Sequence, residues 1–454
     1  MSDKIRFGSK IGLIAATVGS AVGLGNIWRF PAEAQANGGS AFLIVYVLCV
    51  LLLGIPVMLG EFSIGRAGRS DAVGAYKNIS PGKPWWAVGG LSIIASYIIL
   101  CFYMVVAGIT LEYLIQSLTG NLFEGITTGA EGAKAGFLAK MQDYVCGSAG
   151  PLINTYLMIL INLGVLLCGV KKGIERMSNM LMPLLFILLI IFCCVSLSLP
   201  GASEGLNMFF NPDFSKITPA VVINALGQAF FSLSLGMGIL VTYSSYFPKD
   251  TKLTRTATTV SLLDMLVAVM MGIVIFPAIV SFGLSGEELE GQSLVFVTLP
   301  EVFMQMPATQ LWSILFFLLL TVAALTSTVS ISEVTIAFFR DRFKMSRRRA
   351  CLIVLGPLLI FSSVCALSLG PWKHIRLFGL DIFSLLDTVA TNIMLPVGAM
   401  FMCIYLGWFA PKGFLRSQLT NRGSVRDRFA SSVLFIIRWI APPAIAIILI
   451  SQFV

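Results

Sequence analysis

Long apolar runs, separated by short polar, Pro- or Gly-bearing breaks, dominate the chain. They fall near 11–36, 41–65, 87–118, 152–170, 178–199, 219–246, 256–283, 310–338, 350–370, 382–409 and 430–452. A helix of about twenty apolar residues crosses the hydrocarbon of a bilayer, so the pattern predicts eleven transmembrane helices in a single transmembrane domain, 1–454. The runs are continuous rather than alternating, which disfavours a β-barrel. The fold class is therefore an all-α polytopic membrane protein.

Composition agrees: 57% of the 454 residues are hydrophobic and 12% charged, with a mean hydropathy of +0.90. That balance excludes soluble, disordered, collagen-like and nucleic-acid-binding classes. The net charge of +9 reports topology instead. If Met1 is cytoplasmic, 24 Lys and Arg lie on the inner side and five on the outer, namely Lys134, Lys140, Lys216, Lys373 and Arg376. The expected location is the plasma or inner membrane, multi-pass, with the N-terminus cytoplasmic and Val454 outside. Of nine cysteines, only Cys146 sits in a long loop, so no disulfide and no CxxC metal site is expected. The charged start runs into a Gly-dense apolar stretch without a signal-peptide cleavage pattern, so the first segment is expected to be retained.

Two spans carry poor helix at their centres. The first reads Gly19-Ser-Ala-Val-Gly-Leu-Gly-Asn26, and the sixth reads Ser232-Leu-Ser-Leu-Gly-Met-Gly238. Small residues such as Gly19 and Gly23 also permit close helix packing, which accounts for either stretch alone. Their recurrence five segments apart points instead to a five-plus-five internal repeat with discontinuous helices 1 and 6 and a midplane binding site. Freed carbonyls suit a dehydrated hard cation, and half-helix N-termini suit a carboxylate.

Asp264, flanked by Leu262, Leu263, Met265 and Leu266, is an intramembrane carboxylate that needs a cation, a proton or a neighbouring helix as partner. Glu61 and Glu333 pose the same question; bracing of an unwound segment through backbone N–H groups is the preferred reading for Glu61. Arg29 either snorkels or forms an openable ion pair with a carboxylate such as Asp387, which opens the tenth span.

At Gly19-Ser-Ala-Val-Gly-Leu-Gly-Asn-Ile-Trp-Arg-Phe-Pro31 the sequence closely resembles the neurotransmitter:sodium symporter family, in particular its eleven-span, leucine-transporter-like bacterial amino-acid transporters. Lys172-Gly-Ile-Glu-Arg176 with Met182-Pro183, Gly227-Gln-Ala-Phe-Phe-Ser-Leu-Ser-Leu-Gly236 and Ala324-Leu-Thr-Ser-Thr328 extend the resemblance over essentially the whole chain. It implies a first repeat over 11–199, a second over 219–409 and an extra helix at 430–452.

The resemblance further implies two sodium ions. One site would use carbonyls of Gly19, Val22 and Ala323 with the hydroxyls of Thr326 and Ser327; the other would use Ala21, Asn26, Ser232 and Asp264, completed by the substrate carboxylate. The substrate pocket would be lined by Ser20, Ala21, Leu24, Gly25, Ile99, Tyr103, Phe231, Ser232, Ser234, Met237, Ser327 and Ile331. Asp264 departs from members that have Asn at this position, and its charge implies transport without chloride. Gly23 stands where monoamine transporters have Asp, and the apolar Leu24, Ile99, Met237 and Ile331 imply hydrophobic or aromatic L-amino acids. Arg29 with Asp387 would gate the outer side, and Lys4 with Asp341, supported by Phe7 and Tyr246, the inner side. Lys in place of Arg at the inner pair forfeits bidentate geometry.

The expected activity is sodium-coupled import of an amino acid by alternating access across the lipid bilayer, with no nucleic-acid partner and no covalent chemistry. His374 is the sole histidine and lies in an outer loop, remote in sequence from any nucleophile, so an enzyme is not expected. The alternative is a proton-coupled amino-acid transporter using Asp264 or Glu333. A sodium-gated channel would share the carbonyl sites without saturable substrate exchange.

Overall fold

The structure is a computed structural model that describes residues 7–126, 130–283, 291–424 and 429–452. Among these, nine helices are long and apolar enough to cross a membrane: Ser40–Gly68, Trp86–Thr119, Ala149–Leu167, Val170–Leu197, Leu253–Ser281, Thr309–Phe343, Arg347–Leu369, Ile382–Phe409 and Ala430–Ser451. A tenth span is the bent pair Lys10–Ala21 and Gly25–Ala36, which meet at 55°. The run at 219–246 is delivered as two helices, Pro219–Ser232 and Ile239–Ser245, neither of which has the length of a span. By length and composition the described residues thus give ten spans, and the eleventh of the sequence pattern is this broken pair.

Trp86–Thr119 and Thr309–Phe343 form the centre, packed on each other and 83% and 72% buried over their most apolar stretches. The last helix is only 28% buried. Its exposed Trp439, Ile447 and Ile450, like Ile187, Ile190, Ile360 and Phe361 on other peripheral helices, are large apolar side chains turned outward. In water such a surface would aggregate; here it faces lipid.

Several ends differ from the hydropathy pattern for local reasons. Thr309–Phe343 runs past 338 through Arg340 and Arg342, cations that complement the negative end of the helix dipole. Ala149–Leu167 and Val170–Leu197 are separated by only Cys168 and Gly169, and Gly169 turns the chain at φ 88°, so Lys171-Lys-Gly-Ile-Glu175 is helical rather than a loop. The one paired extended segment among the described residues is a small hairpin, Arg376–Leu377 with Leu380–Asp381.

Candidate functional site

The first helix ends at Ala21. Val22 leaves it with extended backbone (φ −69°, ψ 106°), so carbonyls that would continue the ladder are freed at Gly19 to Val22. Gly19 and Ser20 themselves remain helical, so the break is narrower than the glycine cluster suggests. It closes through Asn26, whose N–H donates to Gly23 O at 3.2 Å while its Oδ1 accepts from Gly23 N at 3.4 Å.

The second break is sharper. Ser234, Gly236 and Gly238 all adopt left-handed backbone (φ 53°, 83° and 72°), which two glycines accept without strain. A Cβ on Gly236 would stand 2.5 Å from Leu395 O, so the backbone there lies directly against a neighbouring helix. Glu61, buried in Ser40–Gly68, accepts the Gly236 N–H at 2.7 Å, which is the bracing role read from sequence. Ser96 Oγ donates to Met237 O. Side chains of neighbouring helices thus take up two of the unwound backbone groups, as backbone at membrane depth requires.

The two breaks are stitched together. Ser234 Oγ donates to Ser20 O at 3.0 Å, and Gln228 Nε2 to Gly25 O at 2.9 Å. Asp264 joins them from Leu253–Ser281: Ser232 Oγ donates to its Oδ2 at 2.6 Å, and Asn26 Nδ2 to its Oδ1 at 2.9 Å and to Ser232 Oγ at 3.0 Å. Tyr46 OH lies 3.5 Å from Asp264 Oδ2 and 3.4 Å from Ser232 Oγ. Asp264 and Asn26 are fully buried, and no cation lies within ion-pair range of the carboxylate among the described residues. A buried carboxylate held only by neutral donors is a place for a bound cation.

Beside this cluster, side chains from several elements press closely on the first break. A Cβ on Gly23 would fall 2.7 Å from Ser327 Oγ and 3.2 Å from Tyr103 OH, so glycine alone lets these two hydroxyls approach the break. Tyr103 OH accepts from Leu24 N at 3.3 Å. A Cβ on Gly25 would meet the Phe231 ring at 2.8 Å, and the Arg29 guanidinium stands over the opposite part of that ring, 4.7 Å from its centroid. Ser20, Ala21, Leu24, Ile99, Met237 and Ile331 are all buried on the elements that meet here.

The cation set predicted on Thr309–Phe343 is compact too. Thr326 Oγ1 donates to Ala323 O at 3.0 Å within its own helix, and a Cβ on Gly19 would lie 3.4 Å from the Thr326 Cβ, so the last turn of the first helix packs against Thr326. Thr326 and Ser327 are buried. Val22, at the break itself, is fully buried.

Residues 4–127 and 138–454 match the Sodium:neurotransmitter symporter family. The chain belongs to that family. Among its relatives, a sodium-dependent transporter of Bacillus subtilis, YhdH, is 37% identical over 98% of this chain and 97% of its own length. The sodium-dependent transporter MJ1319 of Methanocaldococcus jannaschii is 35% identical over 93% and 86%. A solved structure of MhsT in complex with L-phenylalanine superposes with a TM-score of 0.89, at 40% identity, over 99% of this chain and all of that one. The symporter family accounts for the apolar helices and for sodium coupling.

The residues expected as gates have other partners in the structure. Arg29 forms its ion pair with Glu33, at 3.8 Å, while Asp387 accepts from Thr391 Oγ1 at 3.3 Å; the structure does not bring Arg29 and Asp387 into ion-pair contact. Lys4 lies outside the described residues. Asp341, its expected partner, pairs with Arg340 at 3.0 Å and accepts from Asp71 N at 3.1 Å. Burial lifts the Asp71 carboxyl above the usual range, its helix-capping bonds to Val73 and Gly74 oppose that, and nearby Asp341 reinforces it. Phe7 does sit where expected, its N–H on Tyr246 O at 3.4 Å and its ring edge-on to Tyr243 and Tyr246.

Glu333 is neither a brace nor a lone carboxyl. Arg347 grips it with two bonds, Nη1 to Oε1 at 3.1 Å and Nη2 to Oε2 at 2.7 Å, and Tyr246 OH donates to Oε1 at 2.8 Å. Neither this pair nor the Glu175 carboxylate, which accepts from Gly8 N at 2.6 Å and Ser9 Oγ at 2.8 Å and ties the first helix to Val170–Leu197, is legible in the hydropathy pattern. Tyr46 and Gln228 were also silent in the sequence, although Gln228 lies inside the motif that begins at Gly227.

Proposed function

We propose that the chain imports a hydrophobic or aromatic L-amino acid together with two sodium ions, without a chloride requirement. The observation that carries this is the Asp264–Ser232–Asn26 cluster: a buried carboxylate without a cation partner, reached from both broken helices at once. One sodium binds there with Ala21 and the substrate carboxylate, and the second with Gly19, Val22, Ala323, Thr326 and Ser327. The resident negative charge of Asp264 replaces an external anion. Because the substrate carboxylate completes the first ion's shell, each species raises the other's affinity by the same factor.

Tyr103 and Phe231 close the site above the substrate, with Leu24, Ile99, Met237 and Ile331 around its side chain. The substrate bound in the MhsT structure, L-phenylalanine, is of the same class. Alternating access moves the repeats 11–199 and 219–409 about this point, with 430–452 at the periphery and the basic loops in the cytoplasm. Arg29 and Asp387 approach one another as the outer side closes. The Glu333 carboxylate is already paired with Arg347, so Asp264 rather than Glu333 is the buried acid open to a bound cation.

Competition decides the substrate class. Leu, Phe and Trp are expected to displace labelled substrate from the purified protein in sodium buffer better than Glu or Lys. Stronger displacement by Glu or Lys would overturn the apolar-pocket reading.

A further inference from the structure

Away from the transport site, a cleft of about 520 Å³ opens at the foot of Ser40–Gly68, on the face that carries the basic loops. Three distant stretches of chain line it: Arg66 and Arg69, then Lys249 and Asp250, then Gln418 and Arg422. Four cations therefore converge on a space holding one carboxylate.

Arg66 is the informative member. It is only 6% exposed, yet every hydrogen bond it makes goes to a neutral oxygen: Thr251 O at 2.8 Å, Asn421 Oδ1 at 2.6 Å, Gln418 Oε1 at 3.1 Å and Gln418 O. It has no ion pair among the described residues. A buried guanidinium without a counter-charge is costly, and a second and third guanidinium close by raise that cost. The turn that brings Arg422 to the cleft is itself strained, with Asn421 and Arg422 both left-handed (φ 46° and 59°). Arg69 meanwhile donates to Phe247 O and Ser245 O, so the same cluster holds the segment that leaves the inner half of the second broken helix.

We propose that this cleft binds a phosphate-bearing anion, and that the bound anion clamps the segment 247–252 to the foot of Ser40–Gly68. Arg66, with four of its five N–H donors already committed, supplies chiefly charge; the exposed Arg422 guanidinium offers paired donors suited to phosphate oxygens, and Lys249 adds a mobile point charge at the mouth. The phosphate comes from an inner-leaflet phospholipid headgroup or from a soluble phosphate. Only the assignment to the cytoplasmic side rests on the orientation proposed above; the site itself is independent of substrate and sodium.

The test uses the full-length protein in nanodiscs, with the thermal midpoint as readout and no substrate present. One arm titrates inorganic phosphate against chloride at matched ionic strength in phosphatidylcholine discs. The other replaces part of the phosphatidylcholine with phosphatidylglycerol. The parent protein should show a saturable rise in midpoint in at least one arm; a rise with phosphate identifies a soluble ligand, and a rise with phosphatidylglycerol alone a lipid. In Lys249→Gln/Arg422→Gln, which alters only exposed side chains, the apparent affinity should fall at least about tenfold, the loss expected for removed charge-assisted bonds. Arg348→Gln/Arg349→Gln, an equal charge change on exposed residues elsewhere, should respond like the parent. No rise in either arm, an unchanged response in the first double variant, or an equal loss in the second would overturn the proposal.

Discussion

Ser232, at the end of Pro219–Ser232 in the second broken helix, donates a 2.6 Å hydrogen bond to Oδ2 of Asp264, and the other carboxylate oxygen is taken by Asn26 from the first. One acid thus reads the position of both breaks. Under the proposed function, a cation bound here would be held by groups from three helices, and any movement of either break would change its shell, which is how ion binding would be coupled to the conformation around the substrate.

The proposed role of Asp264 carries a prediction about the anion requirement. Uptake measured in gluconate buffer is expected to match uptake in chloride buffer for the parent protein. Asp264→Asn removes the resident charge while keeping a ligand oxygen, and should weaken sodium activation by about tenfold or more, the scale of one lost charged contact. Loss of parent uptake on chloride removal would contradict the role given to this carboxylate.

Gly23 admits two hydroxyls to the first break, so the smallest possible side chain should be felt there. A methyl group at this position meets Ser327 Oγ at 2.7 Å and Tyr103 OH at 3.2 Å. Gly23→Ala is expected to raise KM by about tenfold, since overpacking costs roughly 1–3 kcal/mol. The same overpacking should lower the thermal midpoint by a few degrees, so KM is compared on folded protein of matched amount. A normal KM would mean the substrate does not use this space.

Glu61 acts through a single backbone amide. Glu61→Ala leaves the Gly236 N–H unpaired in the interior, a loss of about 1–3 kcal/mol, and should lower the thermal midpoint and uptake together. Glu61→Gln keeps an acceptor oxygen and should retain most of both. Equal damage by the two variants would show that charge, not bracing, is what the position supplies.

The fold was largely legible because bilayer thickness forces long apolar runs, and the runs at 382–409 and 430–452 are helices Ile382–Phe409 and Ala430–Ser451 almost to the residue. The breaks were legible because glycine clusters are rare in such runs; Gly236 and Gly238 do take the left-handed backbone that only glycine accepts freely. Partners across the bundle were not. Nothing in hydropathy says that Arg347 reaches Glu333, or that Glu175 caps a helix some 160 residues away, because side-chain pairing depends on packing that periodicity does not encode. Arg29 was legible as a charge near a helix end, but its choice of Glu33 one turn on over Asp387 is a matter of conformation.

The Glu333–Arg347 pair makes its own prediction. Arg347→Gln leaves a fully buried carboxylate uncompensated, at a cost of about 3–5 kcal/mol, and should sharply lower the thermal midpoint. Adding Glu333→Gln should restore much of it, because the pair is then replaced by neutral groups. A double variant no better than the single would show that Arg347 acts through other contacts, such as its bond to Leu166 O.

The most direct test of the central claim is uptake of labelled leucine and tryptophan into proteoliposomes under an imposed sodium gradient, with potassium and pH-gradient controls, for the parent protein and Asp264→Ala. Coupled transport predicts accumulation that requires the sodium gradient, is not replaced by a pH gradient, and is abolished in Asp264→Ala. Accumulation indifferent to sodium, or driven equally by a pH gradient and retained in Asp264→Ala, would contradict it.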